Sequence, residues 1–516
     1  MNYHRKLRLL LIGGFIFHAL LASVLELGND EVYYQTYALH LQWNYFDHPP
    51  LVGFLIRLST FNLHFHQEFF VRLGPVFCSA AGTYLIFITG SRLKNQRTGW
   101  YAALLYNLSF YTSIIAGTFI LPDSPEVVCW MAAIYGMVLL LDKQRRDVDP
   151  PLTGILLGLA MGLCVFSKIH GLFLCFGFAV YALFNKRSLF KSRAFWIAML
   201  LVVAFIIPLY WWNAQNNFIT YRYHEGRIGF FGHRADPGQL LQQLLGSAFY
   251  CNPVNFILYT LTLIAILKKK FTCPYLSLLL WLSLPLIIIL LFTSLFNETL
   301  PHWSGPSYLS LMLLTAAWMD QRQSRIFTLS WIRAAALFFA FVTITGVLGI
   351  LYLPFHLGKK DPGELGRGDI TLDMSGWKKF ASQFDSLYRS DQQDGRMNKQ
   401  AIILSDYWFP AAHLDYYYAR PNNINLIAAG KLRNIHHFAW LNERRPRIEP
   451  GSDAYFIYPT NYYGPPAPSL RMLFERVEDS VLLPQYLNGI EVRKFVIYRM
   501  HRFKGDSSDY LIPGIR

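Results

Sequence analysis

Apolar residues dominate the first two thirds of the chain and recur in runs long enough to cross a bilayer as helices, which takes about 20 residues. Polar and often basic loops separate these runs. The pattern predicts eleven transmembrane helices before residue 354 and none after it. The predicted spans are residues 9–27, 69–89, 100–117, 125–141, 152–166, 172–184, 194–212, 252–267, 275–296, 304–319 and 334–353.

The fifth, sixth, eighth and tenth of these spans are shorter than a typical crossing. A tilted, re-entrant or partly buried helix fits them as well as a full span. No small-residue cleavage site follows the first run, so we expect it to be a retained span and not a cleaved signal. Two connections, residues 28–68 and 213–250, are too long for simple turns, and we expect them to contain interfacial helices.

The tail differs in composition from the rest of the chain. It is polar and mixed, and residues 401–404, 454–458 and 495–498 have the pattern of short strands between helical stretches. We therefore predict a membrane domain over residues 1–355 and an extracytoplasmic α/β domain over residues 356–516. The expected fold class is an all-α polytopic membrane protein that carries a C-terminal α/β domain.

The formal net charge of +15 would suit a nucleic-acid partner, but the basic residues are concentrated in alternate loops. If the predicted spans are right, six basic clusters share one side of the membrane, which is the positive-inside pattern. This predicts an integral membrane protein without a nucleic-acid partner, with a cytoplasmic N-terminus and, because eleven is odd, a periplasmic tail at a bacterial inner membrane. The clusters are Arg5, Lys6 and Arg8; Arg92, Lys94 and Arg97; Lys143, Arg145 and Arg146; Lys186, Arg187, Lys191 and Arg193; Lys268, Lys269 and Lys270; and Arg322, Arg325 and Arg333.

All six cysteines lie in or beside apolar runs, and the tail contains none. This distribution predicts buried, unpaired thiols and no disulfide framework.

Acidic residues and histidines gather in the loops that this topology places outside. Since distant loops would present them to one side of the membrane, we expect a shared cavity. The alternative is that the outer acids only balance the inner bases, with Lys168 extending to the interface and His302 in an aromatic belt. The candidate residues are Asp30, Glu31, Asp47, His48, Asp123, Lys168, His224, Glu225, Arg227 and His302.

Transfer of a sugar from a lipid-linked phosphate requires a base for the acceptor hydroxyl and cations for the leaving phosphate. Asp30, at the end of the first apolar run, is the candidate base, because an ionised group there must face protein, water or a ligand. The candidate phosphate ligands on that side are Arg57, Arg72, Lys168, Arg222, Arg227 and Arg234.

Six short motifs occur in a characteristic order along the chain. They are Asp30-Glu31, Tyr45-Phe46-Asp47-His48-Pro49-Pro50, Pro122-Asp123-Ser124-Pro125, Ser167-Lys168-x-x-Gly171, Trp212-Asn213 and Pro301-His302-Trp303. In this order the chain resembles the GT-C glycosyltransferases. Within that fold it is most similar to the protein O-mannosyltransferase-like and aminoarabinose lipid A transferase-like branch, glycosyltransferase families 39 and 83.

The resemblance implies an inverting transfer, metal-independent or metal-assisted, from a polyprenyl-phosphate sugar. It places Asp30 at the position of the family's essential acid, with Glu31 beside it, and Asp123 at that of the second acid. Asp47 matches an acid that binds zinc in lipid A transferase-like members, and His224 is the best match for their zinc-binding histidine. His48 departs from the lysine of those members, so a divalent metal ion stays one alternative and no cofactor the other.

The residues and the resemblance together predict a glycosyltransferase that transfers a hexosyl or pentosyl group from a polyprenyl-phosphate donor to a lipid, glycan or protein acceptor. A lipid or solute transporter or flippase is the main alternative. Transporters usually show internal repeats and midplane sites, whereas these acids lie in outer loops. A third alternative is a non-catalytic membrane scaffold whose tail binds a partner.

Overall fold

The computed structural model describes residues 2–144, 149–228, 234–353, 355 and 357–505. Of the predicted basic clusters, Arg145 and Arg146 lie outside these residues. The chain divides into two compact units. The first comprises Met1–Val24 and Tyr37–Val342, and the second comprises Leu25–Thr36 and Thr343–Arg516. We call Leu25–Thr36 the Asp30 segment.

The first unit is built from α-helices. Two 3₁₀ helices, Arg187–Lys191 and Pro301–Ser307, and a π-helical turn, Tyr111–Ile115, connect some of them. The α-helices are Tyr3–Val24, Leu51–Ser59, Glu68–Leu93, Gln96–Asn107, Asp123–Gln144, Pro151–Ser167, Gly171–Asn185, Arg193–Gln215, Ile219–Ile228, Pro237–Tyr250, Pro253–Leu267, Leu276–Thr293, Tyr308–Gln321 and Arg325–Tyr352, the last of which continues into the second unit.

Every predicted span overlaps one of these helices, but the predicted number of eleven spans is not confirmed. Within the described part of the chain, six helices are long and apolar enough to cross a membrane, or seven if the pair Pro237–Tyr250 and Pro253–Leu267, bent by 105°, counts as one span. Two further apolar helices, Pro151–Ser167 and Gly171–Asn185, are shorter, with at most 17 residues. The six are Tyr3–Val24, Glu68–Leu93, Asp123–Gln144, Arg193–Gln215, Leu276–Thr293 and Arg325–Tyr352.

The helix Asp123–Gln144 forms the centre of the first unit. In its most apolar stretch 72% of the residues are buried, compared with 17% in Tyr3–Val24 and 11% in Arg325–Tyr352. Trp130, Met131 and Ile134 of the central helix are completely buried. A helix that is apolar all round and buried belongs to a core, so Asp123 starts a helix whose position is fixed by packing.

Acids partly neutralise the predicted cytoplasmic end of this unit. The Asp142 carboxylate pairs with Arg92 at 2.9 Å, and Asp320, whose side chain is almost fully buried, pairs with Lys94 at 2.7 Å and also with Arg97. These contacts join loops that the basic clusters predict to share one side of the membrane.

A row of glycines allows two helices to approach closely. Gly154, Gly158 and Gly162 are spaced by four residues on Pro151–Ser167, where small residues permit close contact between membrane helices. A Cβ atom on Gly158 would lie 2.8 Å from the Cα atom of Ala198 on Arg193–Gln215. The backbones of the two helices are therefore in contact, with no room for a side chain between them.

The second unit contains a six-stranded sheet, which confirms that the tail contains strands. The strands are β1 (Ile402–Ser405), β2 (Leu426–Ala428), β3 (Ala454–Pro459), β4 (Phe474–Val477), β5 (Val481–Leu487) and β6 (Ile490–Phe503). Their order is β2-β1-β3-β6-β4, and β5 also pairs with β6. β1 is parallel to β2 and β3, and β6 is antiparallel to its three neighbours. The three predicted strands correspond to β1, β3 and part of β6.

Short helices surround this sheet. The longest of them buries Trp377, Phe380, Phe384 and Tyr388, a helical spacing that forms one apolar face. The rings of Phe380 and Phe495 of β6 stack with centroids 4.0 Å apart. The helical elements are Asn29–Tyr37, which begins in the Asp30 segment, Ile370–Met374, Trp377–Gln393, Trp408–Leu414, Asp415–Ala419, Leu432–Ile435, Phe438–Asn442 and Pro468–Arg471.

We predict that Gly158→Leu destabilises the first unit, because the leucine side chain would have to separate the helices Pro151–Ser167 and Arg193–Gln215, which are in contact. Overpacking of this kind costs about 1–3 kcal/mol. The measurement is the midpoint of thermal unfolding in detergent. The matched control is Gly346→Leu, since a Cβ atom at Gly346 meets nothing within 4 Å. Equal midpoints for the two variants would contradict the prediction.

Candidate functional site

The loop between Tyr37 and Pro50 holds Asp47 in a fixed position. The Tyr37 and Tyr45 rings stack with centroids 3.7 Å apart, and the Tyr45 hydroxyl donates to the Tyr37 carbonyl at 2.8 Å. The Tyr37 hydroxyl donates a hydrogen bond to the buried Asp47 carboxylate. A Cβ atom on Gly53 would lie 2.9 Å from Cβ of Tyr37, so glycine at 53 leaves room for this tyrosine.

The helix Ile219–Ile228 contacts the same loop through His224. Its Nε2 atom donates to the Asp47 carbonyl oxygen at 2.7 Å, and its ring centroid lies 6.0 Å from that of His48. Asn44 reinforces the contact, since its amide donates to the Thr220 hydroxyl at 2.9 Å. Glu225 is exposed on this helix, and the side chain of Arg227 lies outside the described residues.

The predicted zinc ligands Asp47 and His224 therefore meet, but through a backbone carbonyl. Tyr37 binds the Asp47 carboxylate, and His224 uses Nε2 for the hydrogen bond to the carbonyl. Across the residues that the structure describes, no group of three or more His, Cys, Asp or Glu side chains is arranged to hold a metal ion. The metal site stays a prediction.

Asp123 and Lys168 form a buried ion pair. The Lys168 ammonium donates to both carboxylate oxygens of Asp123 at 2.9 Å, and the side chains of both residues are only 3% exposed. The Tyr111 hydroxyl donates to the same carboxylate at 3.0 Å. The Ser167 hydroxyl donates to the Pro122 carbonyl at 2.6 Å, which joins the two loops a second time. An ammonium has three N–H donors. Asp123 accepts hydrogen bonds from two of those of Lys168, which leaves the third for another ligand.

Histidines surround this pair. The charges of Lys168 and Asp123 act on both His48 and His170, and the His302 imidazole acts on Asp123. The rings of His170 and Trp303 have centroids 6.0 Å apart, and those of His302 and Tyr250 are 5.8 Å apart. The structure thus brings together, in the first unit, candidates that the sequence separates by up to 255 positions, from Asp47 to His302.

Burial is the main cause that lowers the pKa of His48, to about 3. Asp47 acts in the opposite direction, while His224 and Lys168 lower it further. Burial likewise lowers the pKa of His170 well below its usual value. Both rings are therefore neutral at pH 7, when an imidazole can donate one hydrogen bond and accept another.

Asp30 and Glu31 belong to the second unit and differ from each other in exposure. Asp30 is exposed in the first turn of Asn29–Tyr37, whereas Glu31 is buried and its carboxylate accepts a hydrogen bond from the Gly28 amide at 2.9 Å. This is the reciprocal half of a capping box. Glu31 therefore stabilises the start of the helix, and its catalytic role stays a prediction.

The candidate arginines lie in different environments. Arg72 is fully buried, donates to the Ala22 carbonyl at 3.3 Å and lies over the Phe119 ring. Arg222 and Arg234 are exposed, and Arg57 is half-buried.

Three residues of this region were missed by the sequence analysis. Tyr37 and Tyr111 bind the two buried aspartates. Glu126 is fully buried one helical turn after Asp123, and among the described residues neither of its carboxylate oxygens has a hydrogen-bond partner. The i, i+3 spacing of Asp123 and Glu126 was the available signal. No pattern marks the two tyrosines in a chain that contains 31 tyrosines.

We predict that Lys168→Met lowers stability by about 3–5 kcal/mol, because it leaves Asp123 as a buried charge without its cation. The double variant Lys168→Met/Asp123→Asn should recover most of the loss, since it removes both charges. Thermal unfolding in detergent measures both variants. A double variant no more stable than Lys168→Met would contradict the prediction.

We also predict that His48 makes stability depend on pH. The folded-state pKa of about 3 lies below the ordinary 6.5, so folding releases a proton from this group. Its contribution is fully present above pH 6.5 and is lost as the pH falls from 6.5 towards 3. Unfolding midpoints measured between pH 7 and pH 4 should fall less steeply in His48→Gln than in the unmodified protein; identical slopes would contradict the prediction.

Comparisons with known proteins agree with this architecture. The family model described as dolichyl-phosphate-mannose-protein mannosyltransferase matches residues 47–212. Lipid A galacturonosyltransferase RgtD of Rhizobium johnstonii is 22% identical over 330 residues, which cover 63% of this chain and 64% of that protein.

Two solved structures cover almost the whole chain. ArnT from Cupriavidus metallidurans in the apo state is 12% identical, with a TM-score of 0.59 over 96% of this chain and 98% of that chain. The same protein bound to undecaprenyl phosphate is 13% identical, with a TM-score of 0.61 over 95% of this chain and 97% of that chain. The resemblance drawn from the motifs is confirmed for the fold: this chain is an integral membrane protein of the GT-C fold and is similar to glycosyltransferases that share it.

Proposed function

We propose that this protein is a glycosyltransferase that moves a sugar from a polyprenyl-phosphate-linked donor to an acceptor hydroxyl or phosphate at the periplasmic face of a bacterial inner membrane, with Asp30 as general base. The transferred group is a hexosyl or pentosyl unit, and the acceptor is a lipid, a glycan or a protein. The undecaprenyl phosphate bound to ArnT and the lipid A acceptor in the name of RgtD support this choice of substrates.

The difference in exposure among four acidic side chains carries the proposal. Glu31, Asp47 and Asp123 are buried. Asp30 is the exposed member of this set. A general base must come within hydrogen-bond reach of the proton that it removes, so accessibility favours Asp30 over the other three.

In the proposed reaction, the acceptor oxygen attacks the anomeric carbon of the donor. The bond from that carbon to the phosphate oxygen breaks, and polyprenyl phosphate leaves with the bonding electrons. The acceptor proton passes to the Asp30 carboxylate; an ionised phosphate acceptor has no proton to give. A single displacement inverts the configuration at the anomeric carbon.

The residues around the buried ion pair are assigned to the donor. The remaining donor of Lys168 and the neutral imidazole of His48 supply N–H groups for phosphate oxygens, and His302 adds another. Such preorganised donors stabilise the charge that develops on the leaving phosphate. Glu225 and Arg227 are assigned to the sugar and the phosphate, respectively, and Asp47 holds the loop that carries His48.

We predict that Asp30→Asn lowers kcat for transfer by about 10²–10⁴-fold, the usual contribution of a general base, with little change in KM for the donor. The assay uses protein in nanodiscs, undecaprenyl phosphates that carry a hexose, a hexuronic acid or an aminopentose, and lipid A as acceptor. Release of undecaprenyl phosphate and labelling of lipid A are measured together.

The matched control is Asp361→Asn, which removes an exposed carboxylate of the tail outside the candidate set. It should leave kcat unchanged. Full activity in Asp30→Asn would exclude Asp30 as the base. Movement of the lipid-linked sugar across the bilayer with no covalent transfer from any donor would favour the transporter alternative.

A further inference from the structure

The Asp30 segment is held by the tail at successive backbone and side-chain positions. The Glu26 carboxylate accepts hydrogen bonds from the backbone amides of Trp377 at 2.7 Å and Lys378 at 3.3 Å. These are the first amides of Trp377–Gln393, and a helix N-terminus favours a negative charge. The Leu27 amide donates to the Tyr417 hydroxyl at 2.8 Å. Two residues shortly before Asp30 thus have partners in the tail.

Asn29 has three partners in the tail. Its side-chain oxygen lies 3.0 Å from Nε2 of His413, and its side chain also hydrogen-bonds Asp373 and Tyr462. The Tyr462 hydroxyl donates to the Asp373 carboxylate at 2.6 Å. Since Asp373 accepts from the amide nitrogen, the amide oxygen of Asn29 accepts from His413, whose Nε2 carries the proton.

His413 is itself rigidly placed. It is fully buried, and its ring stacks on the Trp377 indole with centroids 4.0 Å apart and planes 3° apart. Burial is the main cause that lowers the pKa of His413 well below its usual value, so the ring is neutral. Nδ1 has no hydrogen-bond partner among the described residues. Nε2 therefore makes the polar contact of this side chain with the Asp30 segment.

Contacts on the far side of Asp30 complete the arrangement. The Gln35 side-chain oxygen accepts from the Arg420 guanidinium at 2.6 Å, and Arg420 is paired with Asp415 at 2.8 Å. The His437 amide donates to the Tyr33 hydroxyl at 3.4 Å. Asp30 is therefore flanked on both sides by residues that the tail binds.

We propose that the tail positions the general base. The hydrogen bonds that run from His413 through Asn29 to Asp373 fix the first turn of Asn29–Tyr37 and so orient the Asp30 carboxylate for proton removal. This inference rests on the proposed role of Asp30. His413 and Asp373 are positioning residues, because they act through Asn29. Misplacement of a catalytic group by 1 Å can lower the rate by about 10²-fold. Loss of these hydrogen bonds therefore lowers kcat without weakening the binding of the sugar donor.

The test compares two replacements of His413. His413→Phe keeps a ring that can stack on Trp377 but removes the Nε2 donor, whereas His413→Gln supplies an amide N–H near the position of Nε2. We expect kcat to fall about 10–100-fold in His413→Phe, with unchanged KM for the undecaprenyl-phosphate sugar. His413→Gln should stay within about threefold of the unmodified protein, because it restores the hydrogen bond.

The matched control is His501→Phe, which removes a tail imidazole that pairs with Glu478 at 3.0 Å. It should leave kcat unchanged even if the unfolding midpoint falls. Equal losses of kcat in His413→Phe and His413→Gln, or a loss that tracks the unfolding midpoint in all three variants, would overturn the proposal.

A double-mutant cycle separates this inference from the proposed function. If His413 acts through Asp30, His413→Phe should cause no further loss in an Asp30→Asn background. Additive losses would overturn the positioning role and leave Asp30 as the base. Full activity in Asp30→Asn would overturn the proposed function instead.

Hydrogen exchange supplies a readout that needs no substrate. In His413→Phe the amides of the Asp30 segment should exchange roughly tenfold faster than in the unmodified protein, as expected for loosened local structure. His413→Gln and His501→Phe should leave their exchange unchanged. Unchanged exchange in His413→Phe would overturn the proposal regardless of which donor is used.

Discussion

The buried ion pair of Lys168 and Asp123 is the interaction on which the candidate site depends. Two charges with side chains 3% exposed are tolerated only because each satisfies the other and Tyr111 satisfies the carboxylate further. The pair joins the start of the central helix Asp123–Gln144 to the end of Pro151–Ser167. Because the central helix is itself buried, the pair fixes the loops around which His48, His170 and His302 lie. His48 and His170 are neutral there, so they add hydrogen-bond donors without adding charge.

The tail adds a second constraint, which concerns the proposed base. The Asp30 segment follows the first helix of the membrane unit in the chain, yet its contacts place it in the second unit. Glu26 and Asn29 are bound by tail residues, and Glu31 caps the helix that starts at Asn29. The exposed carboxylate of Asp30 thus stands on backbone whose neighbours are ordered by buried hydrogen bonds. An exposed group on a rigid support suits a general base better than an exposed group on a mobile loop.

Hydropathy predicted where helices lie but not how many cross the membrane. Residues 100–117 form one apolar run. In the structure the helix Gln96–Asn107 ends within this run, and the π-helical turn Tyr111–Ile115 follows it. A continuous apolar helix and an apolar turn buried in protein have similar hydropathy. Hydropathy therefore cannot predict where such a helix is broken. Likewise, the row from Gly154 to Gly162 was readable as a close-packing motif, but its partner helix depends on tertiary contacts.

The sequence by itself determined the membrane class, the positions of the helices, the presence of strands in the tail and the GT-C resemblance, because hydropathy, period and ordered motifs are local properties. It also carried one unused signal: Asn488-Gly489, both with positive φ, forms the turn between β5 and β6. Only the tertiary structure decided that Lys168 pairs with Asp123, that His224 meets the carbonyl of Asp47, and that the tail binds the Asp30 segment. These contacts join residues up to 404 positions apart, and such pairings depend on packing in three dimensions, which no local pattern records.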